Sequence, residues 1–115
     1  MMLSITMAAA ASFAVPESVH NSGLAYKSCL VDKSLQLEPS GAPVDDVFLA
    51  AKTECAAEEF DYYTKLVQYL RGNNSNLSGK APEVVAFEII GDQNEANKSR
   101  MRLDILKIRA AKNRR

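Results

Sequence analysis

The chain has 115 residues, of which 47% are apolar and 24% charged, and its formal net charge is zero. That size sets a single small domain, the composition excludes a disordered polyelectrolyte, and no apolar stretch reaches the roughly 18 residues that a membrane span requires. The zero sum hides a division: residues 98–115 carry eight basic side chains against one acid, a net of +7, whereas residues 1–97 carry six bases against thirteen acids, a net of −7. An acidic body with a basic tail points to an electrostatic partner, internal or external.

The first charged side chain is Glu17. Before it, Leu3 to Ala11 has the size of a signal-peptide hydrophobic region, and Ser12-Phe13-Ala14 places small residues, Ser12 and Ala14, at the −3 and −1 positions of a cleavage site. Cleavage between Ala14 and Val15 is expected, leaving residues 15–115 as one mature domain in the periplasm or secreted. The first residues lack the Lys or Arg that usually opens such a signal. The competing reading is an apolar helix packed on the core and ended by Pro16.

From Ser18 to Leu37, the positions Val19, Tyr26, Leu30 and Leu37 follow a helical period, with Ser18 as the expected N-cap. Glu38-Pro39-Ser40-Gly41-Ala42-Pro43 then stops the helix and turns the chain. The next segment has the clearest pattern: Val44, Val47, Phe48, Ala51, Cys55, Tyr62, Leu66, Tyr69 and Leu70 recur at three- and four-residue steps and predict one helix to Arg71, about 40 Å long. A short turn makes the two helices an antiparallel hairpin.

Cys29 and Cys55 are the two cysteines. An even count in a short exported chain reads as a disulfide. Counted from the turn, they lie about eight and twelve residues away, a mismatch near one helical turn, roughly 6 Å. A bridge is therefore geometrically reasonable; two unrelated buried thiols are the alternative. The stretch "YKSCLVDKSLQLEPSGAPVDDVFLAAKTEC", behind a short signal and ahead of a basic C-terminal helix, resembles a group of small uncharacterised exported bacterial proteins with a Cys-bearing helix, a Pro/Gly turn and a second Cys-bearing helix. The resemblance implies a disulfide-linked helical hairpin and carries over no catalytic residue.

Residues 72–81 are polar and small and read as a mobile loop. Beyond them the pattern is mixed. "EVVAFEII" suits a strand, which allows an α+β fold with a C-terminal β-hairpin through Gly91-Asp92. The strong helix formers that follow, with Met101, Ile105, Ile108 and Lys112 on one face, favour a third helix, with Gly91 as a potential kink or break, and an all-α fold.

Candidate chemistry is sparse. His20, the one histidine, has Glu17 nearby but no nucleophile. Glu54, Glu58 and Asp61 share a predicted helical face without a second cluster to complete a metal shell. The tyrosine stripe reads as core. The sequence holds no Gly-rich phosphate loop, catalytic triad or metal motif, so neither enzymatic activity nor a cofactor or metal is expected. The expected role is binding or structural, with an envelope protein or a second copy as partner. Alternatively, Arg100, Arg102, Lys107, Arg109, Lys112, Arg114 and Arg115 would contact an anionic membrane surface. Nucleic acid is not expected, because no aromatics interleave with those cations.

Intact mass of the protein from its host tests the export reading. The expected species begins at Val15 and is two hydrogens lighter than the fully reduced chain; an uncut N-terminus with two titratable thiols would refute it.

Overall fold

A computed structural model describes residues 15–73 and 77–113. The expected signal segment, with Ala14, lies outside the described residues, as do Arg114 and Arg115; Val15 is exposed just ahead of the first helix. The fold is all-α: α1 (Glu17–Leu37), a 3-10 turn (Glu38–Ser40), α2 (Val44–Glu54), α3 (Ala56–Arg71) and α4 (Pro82–Asn113). No strand occurs among the described residues, so the β-hairpin alternative for the last third fails.

The helix ends differ in detail from the sequence reading. Pro16, not Ser18, is the N-cap of α1, its carbonyl accepting the N–H groups of Val19 and His20. Pro43 does the same for α2 through Asp46 and Val47, with Asp45 and Asp46 placed where the helix dipole favours acids. Gly41 closes the 3-10 turn in the left-handed region at φ +75°, which an L side chain seldom adopts.

The predicted 44–71 helix is interrupted at Cys55, whose φ of −98° and ψ of 20° depart from helical values. The two halves, α2 and α3, both pack on α1. A bend at the buried Cys55 lets them wrap the core where a straight rod would diverge from it. The apolar stripe read from the sequence is otherwise the core, with Val47, Phe48, Ala51, Cys55, Tyr62, Leu66 and Leu70 all buried, alongside Val19, Tyr26 and Leu30 from α1. Gly23 of α1 has a packing role: a Cβ there would stand 3.1 Å from the Tyr62 ring.

The polar connection before α4 is anchored by buried Leu77, and Ser78 and Gly79 turn it with positive φ. From Pro82, α4 runs unbroken for 32 residues, about 48 Å, passing through Gly91 as helix. Its pairs with α3 run in opposite numerical order (Arg71 with Glu83, Tyr62 with Gln93, Glu59 with Asn94), which makes the two antiparallel. Its pairs with the α1 side run in the same order, Tyr26 with Asn94, Ser34 with Met101 and Glu38 with Lys112. The molecule is thus a bundle of three mutually packed helical rods, α1, α2/α3 and α4, measuring 54 × 37 × 22 Å, with Ala86, Ile90, Met101 and Ile105 of α4 closing its core.

Cys29 and Cys55 form a disulfide between α1 and the α2/α3 bend, with Cα atoms 6.0 Å apart. Closing a loop with a sequence separation of 26 contributes about 3.5 kcal/mol in the chain-entropy treatment. Replacing both cysteines by alanine should lower unfolding free energy in urea by about that amount. A loss under about 1 kcal/mol would show that helix packing alone fixes the bend.

Candidate functional site

The basic face of α4 is largely occupied from within. Glu38, at the end of α1, is 5% exposed and is clasped by Lys112 and by Arg109 Nε at 3.5 Å. Arg109 Nη2 also donates to the Ala42 carbonyl at 2.7 Å, so the end of α4 is latched to the α1–α2 turn. Two to three turns further back, Arg102 and Lys98 reach Asp45 of α2. Arg100 lies over Asp104 on its own helix, and Lys107 is exposed with no ion pair among the described residues. Of the seven cations read as contacts for an anionic partner, three therefore pair with acids of the body. The Lys112 ammonium, with Arg109 beside it, holds the Glu38 carboxyl below its ordinary range, outweighing the burial that pushes it up.

The acidic residues of the "TECAAEEFD" stretch do not act as one face. Glu54 precedes the bend and is exposed. Glu58 places Oε2 3.6 Å from Cys29 Sγ, and its oxygen and both sulfurs lie within 4.8 Å of one another. The oxidised sulfurs carry neither a proton to donate nor a thiolate to offer a metal, so this is a van der Waals contact and not a ligand set. Asp61 accepts from Lys65 and from Ser22 across on α1, and both interactions lower its carboxyl. His20 is exposed at the edge of a groove of about 400 Å³ over Tyr62, between α1 and α4.

The most distinctive surface is a cleft of about 530 Å³ between α3 and α4, which sequence reasoning missed. Its polar floor is Glu59, Asn94 and Lys52. Tyr26, 1% exposed, reaches the floor from α1 with its hydroxyl 2.7 Å from Glu59 Oε2 and 2.7 Å from Asn94 Oδ1. The single hydroxyl proton goes to the carboxylate, the stronger acceptor. Asn94 Nδ2 donates to the same oxygen at 3.2 Å, and Lys52 pairs with Glu59 at 3.2 Å. Burial alone would raise the Glu59 carboxyl, but donors from Tyr26, Asn94 and Lys52 together lower it. Burial, reinforced by the adjacent Glu59 carboxylate, pushes the Tyr26 phenol far up, so it stays protonated. The floor is a charged but satisfied joint between three helices.

The walls are apolar. Phe60 on α3 is 68% exposed and Phe87 on α4 is 75% exposed, with half-buried Tyr63 and buried Ile90 between them. Both phenylalanines lie off the buried stripe of their own helices. That displacement, a bulky ring outside the 3.6-residue period of the core, is the sequence signal that marks them. Gly91 completes the α4 wall, and a Cβ there would meet nothing within 4 Å. Its helical φ needs no glycine, and glycine inside a helix costs about 1 kcal/mol relative to alanine.

No protein-family description, curated protein or solved structure matches this chain. The functional reading therefore rests on its own residues.

The Glu38 latch has a defined pH signature. A carboxyl lowered in the folded state contributes stability that is fully present above its ordinary pKa of about 4.3 and is lost as pH falls through the folded value. Glu38→Gln should melt at a lower temperature than the parent at pH 7, with the gap closing as pH falls below about 4. A gap that persists unchanged into acid would mean that the ion pairs with Arg109 and Lys112 do not form in solution.

Proposed function

We propose that this is an exported, non-enzymatic protein with a binding or structural role in the cell envelope, and that it engages another protein through the α3/α4 cleft. The observation that carries this reading is the pair of exposed rings, Phe60 and Phe87, held over a floor whose polar groups are already paired. Large solvated aromatics on a rigid, preorganised surface are the side chains that contribute most when a partner covers them. The apolar run at 3–11, the Ser12-Phe13-Ala14 cleavage shape and the Cys29–Cys55 crosslink support export, since disulfides persist in oxidising compartments. The likeness to small exported bacterial helical hairpins belongs to the same reading.

The alternative, association of α4 with an anionic lipid surface, has less charge to work with. Arg102, Arg109 and Lys112 are engaged with Asp45 and Glu38, which leaves Arg100 and Lys107 as its most available described cations.

Two arms of one experiment separate these readings. The disulfide-bonded protein is offered to detergent-solubilised envelope extract and to vesicles containing anionic lipid. Phe60→Ser with Phe87→Ser should abolish capture from extract, whereas Arg100→Glu with Lys107→Glu should leave it intact. Capture that survives loss of both rings refutes the cleft, and vesicle binding lost only in the charge-reversed variant favours the lipid surface.

A further inference from the structure

The crosslink is asymmetric in what solvent can reach. Cys55 is fully buried at the α2/α3 bend, whereas Cys29 is half-buried and lines an open depression of about 450 Å³ along α1. Thiol–disulfide exchange begins when a thiolate attacks one sulfur of the bond, so it depends on access to that sulfur. The Glu58 carboxylate, on α3, lines the same depression. Its Oε2 lies 3.6 Å from Cys29 Sγ, and its oxygen lies within 4.8 Å of both sulfurs. Apart from this contact, Glu58 has no ion pair and no hydrogen-bonded side-chain partner among the described residues, so no cation of the fold neutralises it. Asp32 and Lys33 also line the depression, which therefore holds two acids against one base, a net of −1.

We propose that Cys29 Sγ is the point at which this molecule exchanges with small thiols, and that Glu58 makes the exchange select them by charge, admitting cationic thiols and repelling anionic ones. In the first step the incoming thiolate forms a bond to Cys29 Sγ. The Cys29–Cys55 bond breaks, and its electron pair leaves with Cys55 Sγ, which then takes a proton from water. In the second step another thiolate attacks the small-molecule sulfur of the mixed disulfide and releases Cys29 as a thiolate, which is protonated in turn. Two small thiols are oxidised to one disulfide, and the protein disulfide is reduced to two thiols.

Charge opposes both ends of the first step. Attacking, central and leaving sulfurs share one negative charge in the transition state, and the carboxylate stands close to two of them. The departing charge settles on the Cys55 sulfur, where burial in apolar surroundings disfavours a thiolate. Between half-buried groups this close, the repulsion is screened only in part by water and salt. A thiolate that carries a further acidic group meets Glu58 with a second negative charge. One that carries an ammonium group brings a compensating charge to the same place. The guard thus keeps the covalent tie of a small core closed to anionic thiols.

The inference is independent of the cleft and needs only the crosslink. Reduction of the folded, disulfide-bonded protein is followed by mass at fixed pH with three monothiols: mercaptoethanesulfonate (anionic), mercaptoethanol (neutral) and cysteamine (cationic). For each probe the rate constant of Glu58→Gln is divided by that of the parent, which cancels the acidity of the probe itself. The ratio should be at least about tenfold for the anionic thiol, smaller for the neutral one and smallest for the cationic one. A loosened fold would raise all three ratios alike, so equal ratios, or three ratios near one, overturn the guard. On the parent alone, raising salt from about 0.05 M to about 0.5 M should speed the anionic thiol and leave the neutral one nearly unchanged; an anionic rate that ignores salt counts equally against it. Quenching the neutral reaction midway with maleimide should find the mixed disulfide on Cys29 and the maleimide on Cys55, and the reverse arrangement overturns the entry point.

Discussion

The crosslink between Cys29 and Cys55 is the constraint on which the rest of the arrangement depends. It ties α1 to the residue where the second rod of the hairpin bends. Cys55 is fully buried there, so the bend and the bond share one site at the centre of the core. A bundle of about 100 residues buries a modest fraction of its surface and has little stability to spare. Fixing the junction of three helical segments covalently reduces what the apolar contacts must supply. It lies at the junction of α2 and α3, and α4 packs against both.

Charge completes what the crosslink begins. The division into an acidic body and a basic end is largely a folding device. The cations of α4 descend along the bundle and meet Asp45 and then Glu38, which lie at the start of α2 and the end of α1. Exposed pairs such as Arg102 with Asp45 contribute little individually. Glu38 differs because its carboxylate is nearly sequestered and receives two cations, so the pairing selects one register for a long helix that otherwise touches the body mainly through apolar side chains. The three-way joint of Tyr26, Glu59 and Asn94 plays a similar part midway along α4, where geometry and not area decides which residue faces which.

Much of this fold is legible in the sequence because it follows local rules. The stripes at three- and four-residue steps mark the buried faces of α1, α2 and α3, and the Pro/Gly turn marks the hairpin. What local rules miss is relational. Nothing in the period of residues 44–71 announces a bend, since the apolar face continues in phase through Cys55 and only the bond to another helix gives the bend a purpose. The strand-like "EVVAFEII" is helical because Ala86 and Ile90, four apart, fill the core while Val84 and Phe87 face outward, a tertiary choice that overrides β-propensity. The cleft was hidden for the same reason: Glu59 and Asn94 are ordinary surface residues until Tyr26 arrives from a third helix.

Where sequence and fold disagree locally, the disagreement carries information. Natural chains satisfy propensity, pattern and packing together, and depart from that consistency mainly where a site demands it. Gly23 breaks helix propensity, and the Tyr62 ring accounts for it. Gly41 breaks it at a turn that requires a left-handed residue. Gly91 breaks it with neither cause, beside a ring that the fold leaves three-quarters bare. Phe87 and Gly91, one helical turn apart on α4, are therefore the two positions of this face whose residue types packing within the chain does not explain.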